Sequence, residues 1–154
     1  FTARNYGAGK YDRLSKIMWL CLGSVFVTGL TLGLTARFFG ENLLSIYVPN
    51  KLADISYGLT RMTFICIPYF LCGLMDVTTG LLRGINYSML PMIISIVGVC
   101  VFRIVWIYTV FRIPEYHTLQ SLYISYTISW TVTFLTELII FIVLLKRIRK
   151  KAVS

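Results

Sequence analysis

Acidic residues are scarce in this 154-residue chain, with six Asp and Glu against fifteen Lys and Arg and a formal net charge of +9. Histidine occurs once, at His117. The four cysteines, Cys21, Cys66, Cys72 and Cys100, all fall inside apolar runs. None of them has the CxxC or Cys/His spacing of a metal or redox pair, so buried free thiols are expected. No Ser/His/Asp set, no paired-carboxylate motif in an aqueous loop and no nucleotide fingerprint is present, which argues against an enzyme. Asn5-Tyr6-Gly7-Ala8-Gly9 precedes Lys10, but the GxxxxGK[ST] spacing and a preceding strand are missing. A turn at a helix start is expected there, not a phosphate loop. No cleavable signal sequence is visible, because Phe1 opens on a polar, basic segment. The first residue is not Met, and a piece of a longer protein is expected.

Apolar sequence is abundant: 57% of residues are hydrophobic and the mean hydropathy is +0.76. Four runs, Ile17–Phe39, Tyr57–Leu82, Met89–Phe111 and Leu122–Leu145, hold 23, 26, 23 and 24 residues. Each exceeds the roughly 20 residues that carry a helix across about 30 Å of hydrocarbon. The fold class expected is all-α, a polytopic membrane protein with four transmembrane helices. Residues 1–16 form a cytoplasmic lead-in, 17–145 the four-helix part and 146–154 a basic cytoplasmic tail.

The cations sort by side. Ten lie before the first run, between the second and third, or after the fourth: Arg4, Lys10, Arg13, Lys16, Arg83, Lys146, Arg147, Arg149, Lys150 and Lys151. Arg37, Lys51, Arg61 and Arg112 fall on the opposite side, and Arg103 stays inside the third run. The positive-inside rule therefore predicts both ends in the cytoplasm of a multi-pass plasma or inner membrane protein. The basic tail is a topology signal with membrane lipids as partners. No base-reading motif accompanies the charge, so nucleic acid is not an expected partner.

Along the chain, Lys10–Lys16 reads as an amphipathic lead, and Gly29-Leu-Thr-Leu-Gly33 as a GxxxG packing face. Residues 42–56 read as a short interfacial helix and turn, broken at Pro49 and Asn50. Pro68 kinks the second helix. Helical spacing gathers Tyr69, Cys72, Gly73, Asp76, Thr79, Gly80 and Arg83 on one small, polar face that should line the inside of a bundle. Trp106 and Tyr108 suit an aromatic belt, and the fourth helix is threaded with Ser and Thr.

Three charges share one band of depth. With Arg83, Pro91 and Lys146 at the interface, Asp76 lies roughly 10 Å in, Glu137 roughly 13 Å and Arg103 roughly 18 Å. A charged side chain there costs a few kcal/mol, about 2.5–3.5 on insertion scales, and marks a functional site by default. One reading pairs Arg103 with either acid purely to hold the bundle. The other leaves a carboxylate to bind a proton or Na⁺, or to face a cationic substrate. Burial favours its neutral form and Arg103 its charged one. Asp76, Glu137, Arg103, Thr79, Tyr69 and Cys72 are the candidate site residues. No metal site is expected beyond a Na⁺ near Asp76, and no cofactor.

The Asn5–Gly9 motif, then Leu82-Arg83-Gly84, Asn86, Ser88 and Pro91, and the run Gly98-Val-Cys-Val-Phe-Arg103-Ile-Val-Trp106 together resemble the multidrug and toxic compound extrusion (MATE) transporters. The resemblance covers nearly the whole chain. It implies twelve helices in two lobes around a cavity, with this chain similar to helices nine to twelve of the C-terminal lobe. It also implies export of cationic or amphipathic drugs in exchange for Na⁺ or H⁺ by alternating access, with the N-terminal part of the same transporter as a partner. Some members carry a cation-binding acid about one turn earlier, where this chain has Cys72 and not Asp76. A flippase of the same superfamily for lipid-linked saccharides is the alternative, and a membrane-embedded structural subunit a third.

Overall fold

Helix propagates wherever apolar sequence meets few breakers, and most of the described chain is helical. The computed structural model describes residues 1–47 and 52–153, among which there is no strand. A short helix α1 (Thr2–Gly7) leads into α2 (Tyr11–Phe38), and α3 (Gly40–Tyr47) follows at the far end. Next come α4 (Leu52–Cys66), a tight 3₁₀ turn at Ile67–Tyr69 and α5 (Phe70–Gly84). The third span is α6 (Met89–Ser95), a π-helical stretch at Ile96–Val101 and α7 (Phe102–Thr109), and α8 (Leu119–Val153) completes the chain. Four segments are long and apolar enough to cross a membrane: Tyr11–Phe38, Gly58–Gly84, Met89–Thr109 and Leu119–Ala152.

The bounds differ from the expected ones where polar residues continue a helix. The first span starts at Tyr11 and absorbs the expected lead Lys10–Lys16 except for Lys10, which caps it. Asn5–Gly7 is helical, not turn, and the reversal falls on Ala8 and Gly9, where Gly9 takes a φ of 68° that glycine tolerates. The basic tail continues α8 instead of leaving it, because lysine and arginine are good helix formers. Of the expected short helix and turn over 42–56, α3 supplies a helix to Tyr47 and α4 begins at Leu52, whereas Pro49 and Asn50 lie outside the described residues.

Pro68 does break the second span, and the 3₁₀ turn is centred on it because proline withholds a backbone donor. The GxxxG face of α2 packs against this break. A Cβ on Gly29 would lie 2.9 Å from the Phe70 Cβ, and one on Gly33 would run into the Cys66 carbonyl. The backbones therefore meet where only glycine fits.

The core is built from Leu14, Met18 and Leu22 of α2, Leu74, Leu81, Leu82 and Ile85 at α5, and Phe141 and Leu145 of α8. This packing corrects one expectation. Within the described residues only part of the small, polar face points inward: Asp76, Gly80 and Arg83 are exposed, whereas Gly73 and Thr79 are half-buried and meet α2 and α8. Leucine contributes more than glycine or aspartate when packed, so α5 turns Leu74, Leu81 and Leu82, with Thr78 between them, toward α2 and α8.

Candidate functional site

Thr78 is buried among leucines because it has a partner there. The Glu137 side chain, on α8, has no solvent exposure. Its carboxylate meets hydroxyls from two other spans. Thr78 Oγ1 lies 2.8 Å from Oε2, Thr79 Oγ1 lies 2.9 Å from Oε2 and 3.1 Å from Oε1, and Ser95 Oγ lies 3.1 Å from Oε1. Buried carboxylates persist only when such donors replace water. Among the described residues no basic side chain forms an ion pair with Glu137.

One contact in this nest has two settings. Thr78 Oγ1 is 2.8 Å from Glu137 and also 2.8 Å from the Met75 carbonyl. A hydroxyl carries one hydrogen and two acceptor lone pairs. With Glu137 charged, Thr78 donates to the carboxylate. With Glu137 protonated, the acid donates to Thr78 and Thr78 donates to Met75. Both charge states are satisfied without moving a heavy atom.

The π-helical stretch explains why Ser95 reaches this nest while Arg103 also faces α8. Eight residues along an ideal α-helix leave two side chains about 80° apart. The wider π turn removes most of that offset. Ser95 then meets Glu137 while Arg103 Nε donates to Ser129 Oγ at 3.3 Å, eight residues earlier on α8. Gly98, inside the π stretch, clears the way for Thr133, whose Oγ1 a Cβ would strike.

Arg103 pairs with neither acid among the described residues, contrary to the pairing considered from sequence. Its guanidinium carbon sits 3.9 Å above the Tyr126 ring and 5.8 Å from Trp130. A cation held this way gains from the ring quadrupole instead of a counter-charge. Trp130 also takes Tyr69 and Tyr126 edge-on, at 5.8 and 6.0 Å between centroids. Tyr69 thus belongs to the Arg103 cluster, one layer away from Glu137.

Asp76 is exposed on the opposite side of α5 from the leucines and makes no hydrogen bond or ion pair among the described residues. Cys72 is a half-buried free thiol. Among the described residues no group of three His, Cys, Asp or Glu side chains could hold a metal. Of the six residues singled out from sequence, the structure brings Glu137 and Thr79 together in one nest. It places Arg103 with Tyr69 in another cluster, and Asp76 and Cys72 belong to neither. Thr78 and Ser95 were missed. Their only signal was a hydroxyl at the depth of a buried acid.

A family model described as MatE matches residues 1–109. That segment carries Thr78, Thr79, Ser95, Asp76 and Arg103, whereas Glu137 lies beyond it. No curated protein and no solved structure matches the chain.

Proposed function

The chain belongs to the MatE family of membrane transporters, and from that premise we propose that it forms part of a secondary active exporter of cationic or amphipathic drugs. Export runs in exchange for a proton that binds Glu137. The observation that carries this reading is the two-setting nest: a fully buried carboxylate whose three hydroxyl neighbours satisfy it charged or neutral. A carrier must hold its coupling ion in one state and release it in another, and a site stable in both charge forms meets that need. Asp76, open to the side of α5, is the carboxylate available to an organic cation. Both ends of the chain are cytoplasmic in this reading, on the charge asymmetry of the loops. The rest of the two-lobe transporter is the partner.

Energised efflux of a fluorescent organic cation by the full-length transporter in proteoliposomes tests the reading, in Na⁺ and in Na⁺-free buffer. Efflux driven by a proton gradient, and lost in Glu137→Gln with normal insertion, is expected. Dependence on Na⁺ instead would name sodium as the coupling ion. Arg103, without an acidic partner, favours a second reading in which the cargo carries phosphate, as a lipid-linked saccharide does. A wild-type protein that moves no organic cation would bring that flippase reading forward.

A further inference from the structure

The end of α5 is fixed by a backbone device that the transport reading does not use. Asn86 takes a left-handed φ of 69°, Asn86 N–H donates to the Arg83 carbonyl at 3.1 Å, and Tyr87 N–H reaches back to the Leu82 carbonyl at 3.0 Å. This is the Schellman arrangement, and asparagine is one of the residues that tolerate its left-handed position. It sets Tyr87 against the end of α8. There a cleft of about 500 Å³ opens between Tyr87 and the residues Leu144, Arg147, Ile148, Lys150 and Lys151.

The lining is sorted by chemistry. Leu144 and Ile148 are partly buried and pack on the core, so the floor is apolar and continuous with the spans. Arg147, Lys150 and Lys151 are exposed around it and form no ion pair or hydrogen bond among the described residues. By contrast Arg149, on the same turn, is occupied: it donates to the Tyr11 carbonyl at 3.1 Å and to Ser15 Oγ at 2.9 Å, and lies 3.7 Å from Asp12. That clasp ties α8 to α2 and leaves the other three cations free.

We propose that this cleft is a binding site for one anionic phospholipid, with the phosphate among Arg147, Lys150, Lys151 and the Tyr87 hydroxyl and an acyl chain along Leu144 and Ile148. Position selects the lipid over a soluble phosphate. α8 leaves its apolar run at Leu145 and becomes cationic from Lys146, so the cleft sits at headgroup depth. A free phosphate has no use for the apolar floor. The inference rests on the membrane placement of the spans and not on the transported substrate or the coupling ion.

The test is native mass spectrometry of the delipidated full-length transporter titrated with phosphatidylglycerol or with phosphatidylcholine. Wild type should retain phosphatidylglycerol preferentially. The preference should fall at least about tenfold in Arg147→Gln/Lys150→Gln/Lys151→Gln, given the attraction each such cation exerts on anionic lipid. It should survive in Lys10→Gln/Lys16→Gln, which removes charge elsewhere on the same side. The milder Tyr87→Phe should lower it with folding intact. Equal retention of both lipids by wild type, or full preference in the triple variant, overturns the site. So does displacement of phosphatidylglycerol by millimolar inorganic phosphate, which would make the ligand a soluble anion. Failure of drug efflux in the same preparations would leave the result untouched, because lipid retention is read without transport.

Discussion

The proposed coupling centre stands on one hydroxyl as much as on one acid. Removing the Thr78 hydroxyl leaves Glu137 a donor short in its charged form and an acceptor short in its neutral form. Thr78→Val, nearly isosteric, should therefore stall efflux and destabilise the protein by about 1–3 kcal/mol. Thr78→Ser should restore both, and efflux rate alongside thermal melting checks the pair. A Thr78→Val variant with wild-type efflux would remove the hydroxyl from the mechanism. At this scale the sequence was legible in part. Glu137 stood out as an acid inside an apolar run, but so did Asp76, and depth alone could not tell the buried acid from the open one. What separates them is the rotation of α5, set by Leu74, Leu81 and Leu82 seeking the core.

Among the elements, the breaks matter more than the helices. Four spans were readable from apolar length, and Pro68 announced its own 3₁₀ turn. The π stretch at Ile96–Val101 carries no such signal, since valine, isoleucine and glycine suit an α-helix in lipid equally well. It exists through tertiary contact, with Thr133 against Gly98 and Ser95 and Arg103 both held to α8. The glycines give a paired prediction. Gly33→Ala places a methyl group against the Cys66 backbone, which cannot swing aside as a side chain can, and should cost about 1–3 kcal/mol. Gly80→Ala meets nothing within 4 Å and should leave the melting temperature within about a degree or raise it through helix propensity. Melting in one detergent compares the two. Equal loss in both would mean that the GxxxG contact is not what joins the first two spans.

For the whole molecule, the chain is a four-span membrane unit of the MatE family, with ten of its fifteen lysines and arginines in the ends and the loop that share one side. Charge asymmetry was legible in the sequence because it needs only a count per loop. The partnering of Arg103 was not, because its counterpart is an aromatic face brought from α8. Orientation can be checked directly. In a background with Cys21, Cys66, Cys72 and Cys100 replaced by serine, Ser88→Cys and Lys151→Cys should react with an impermeant maleimide only from the cytoplasmic side. His117→Cys should react only from the other. Labelling of Ser88→Cys and His117→Cys from one side would contradict the assigned topology.

Proton release on substrate binding shows whether Glu137 carries the coupling proton. Exchange requires that cationic substrate and proton weaken each other's binding, and that coupling is reciprocal. Adding a saturating organic cation to the detergent-solubilised full-length transporter in weak buffer should release about one proton per protein from wild type and none from Glu137→Gln, with substrate still bound by both. Release from Glu137→Gln equal to wild type would place the coupling proton elsewhere, and the hydroxyl nest around Glu137 would be structural.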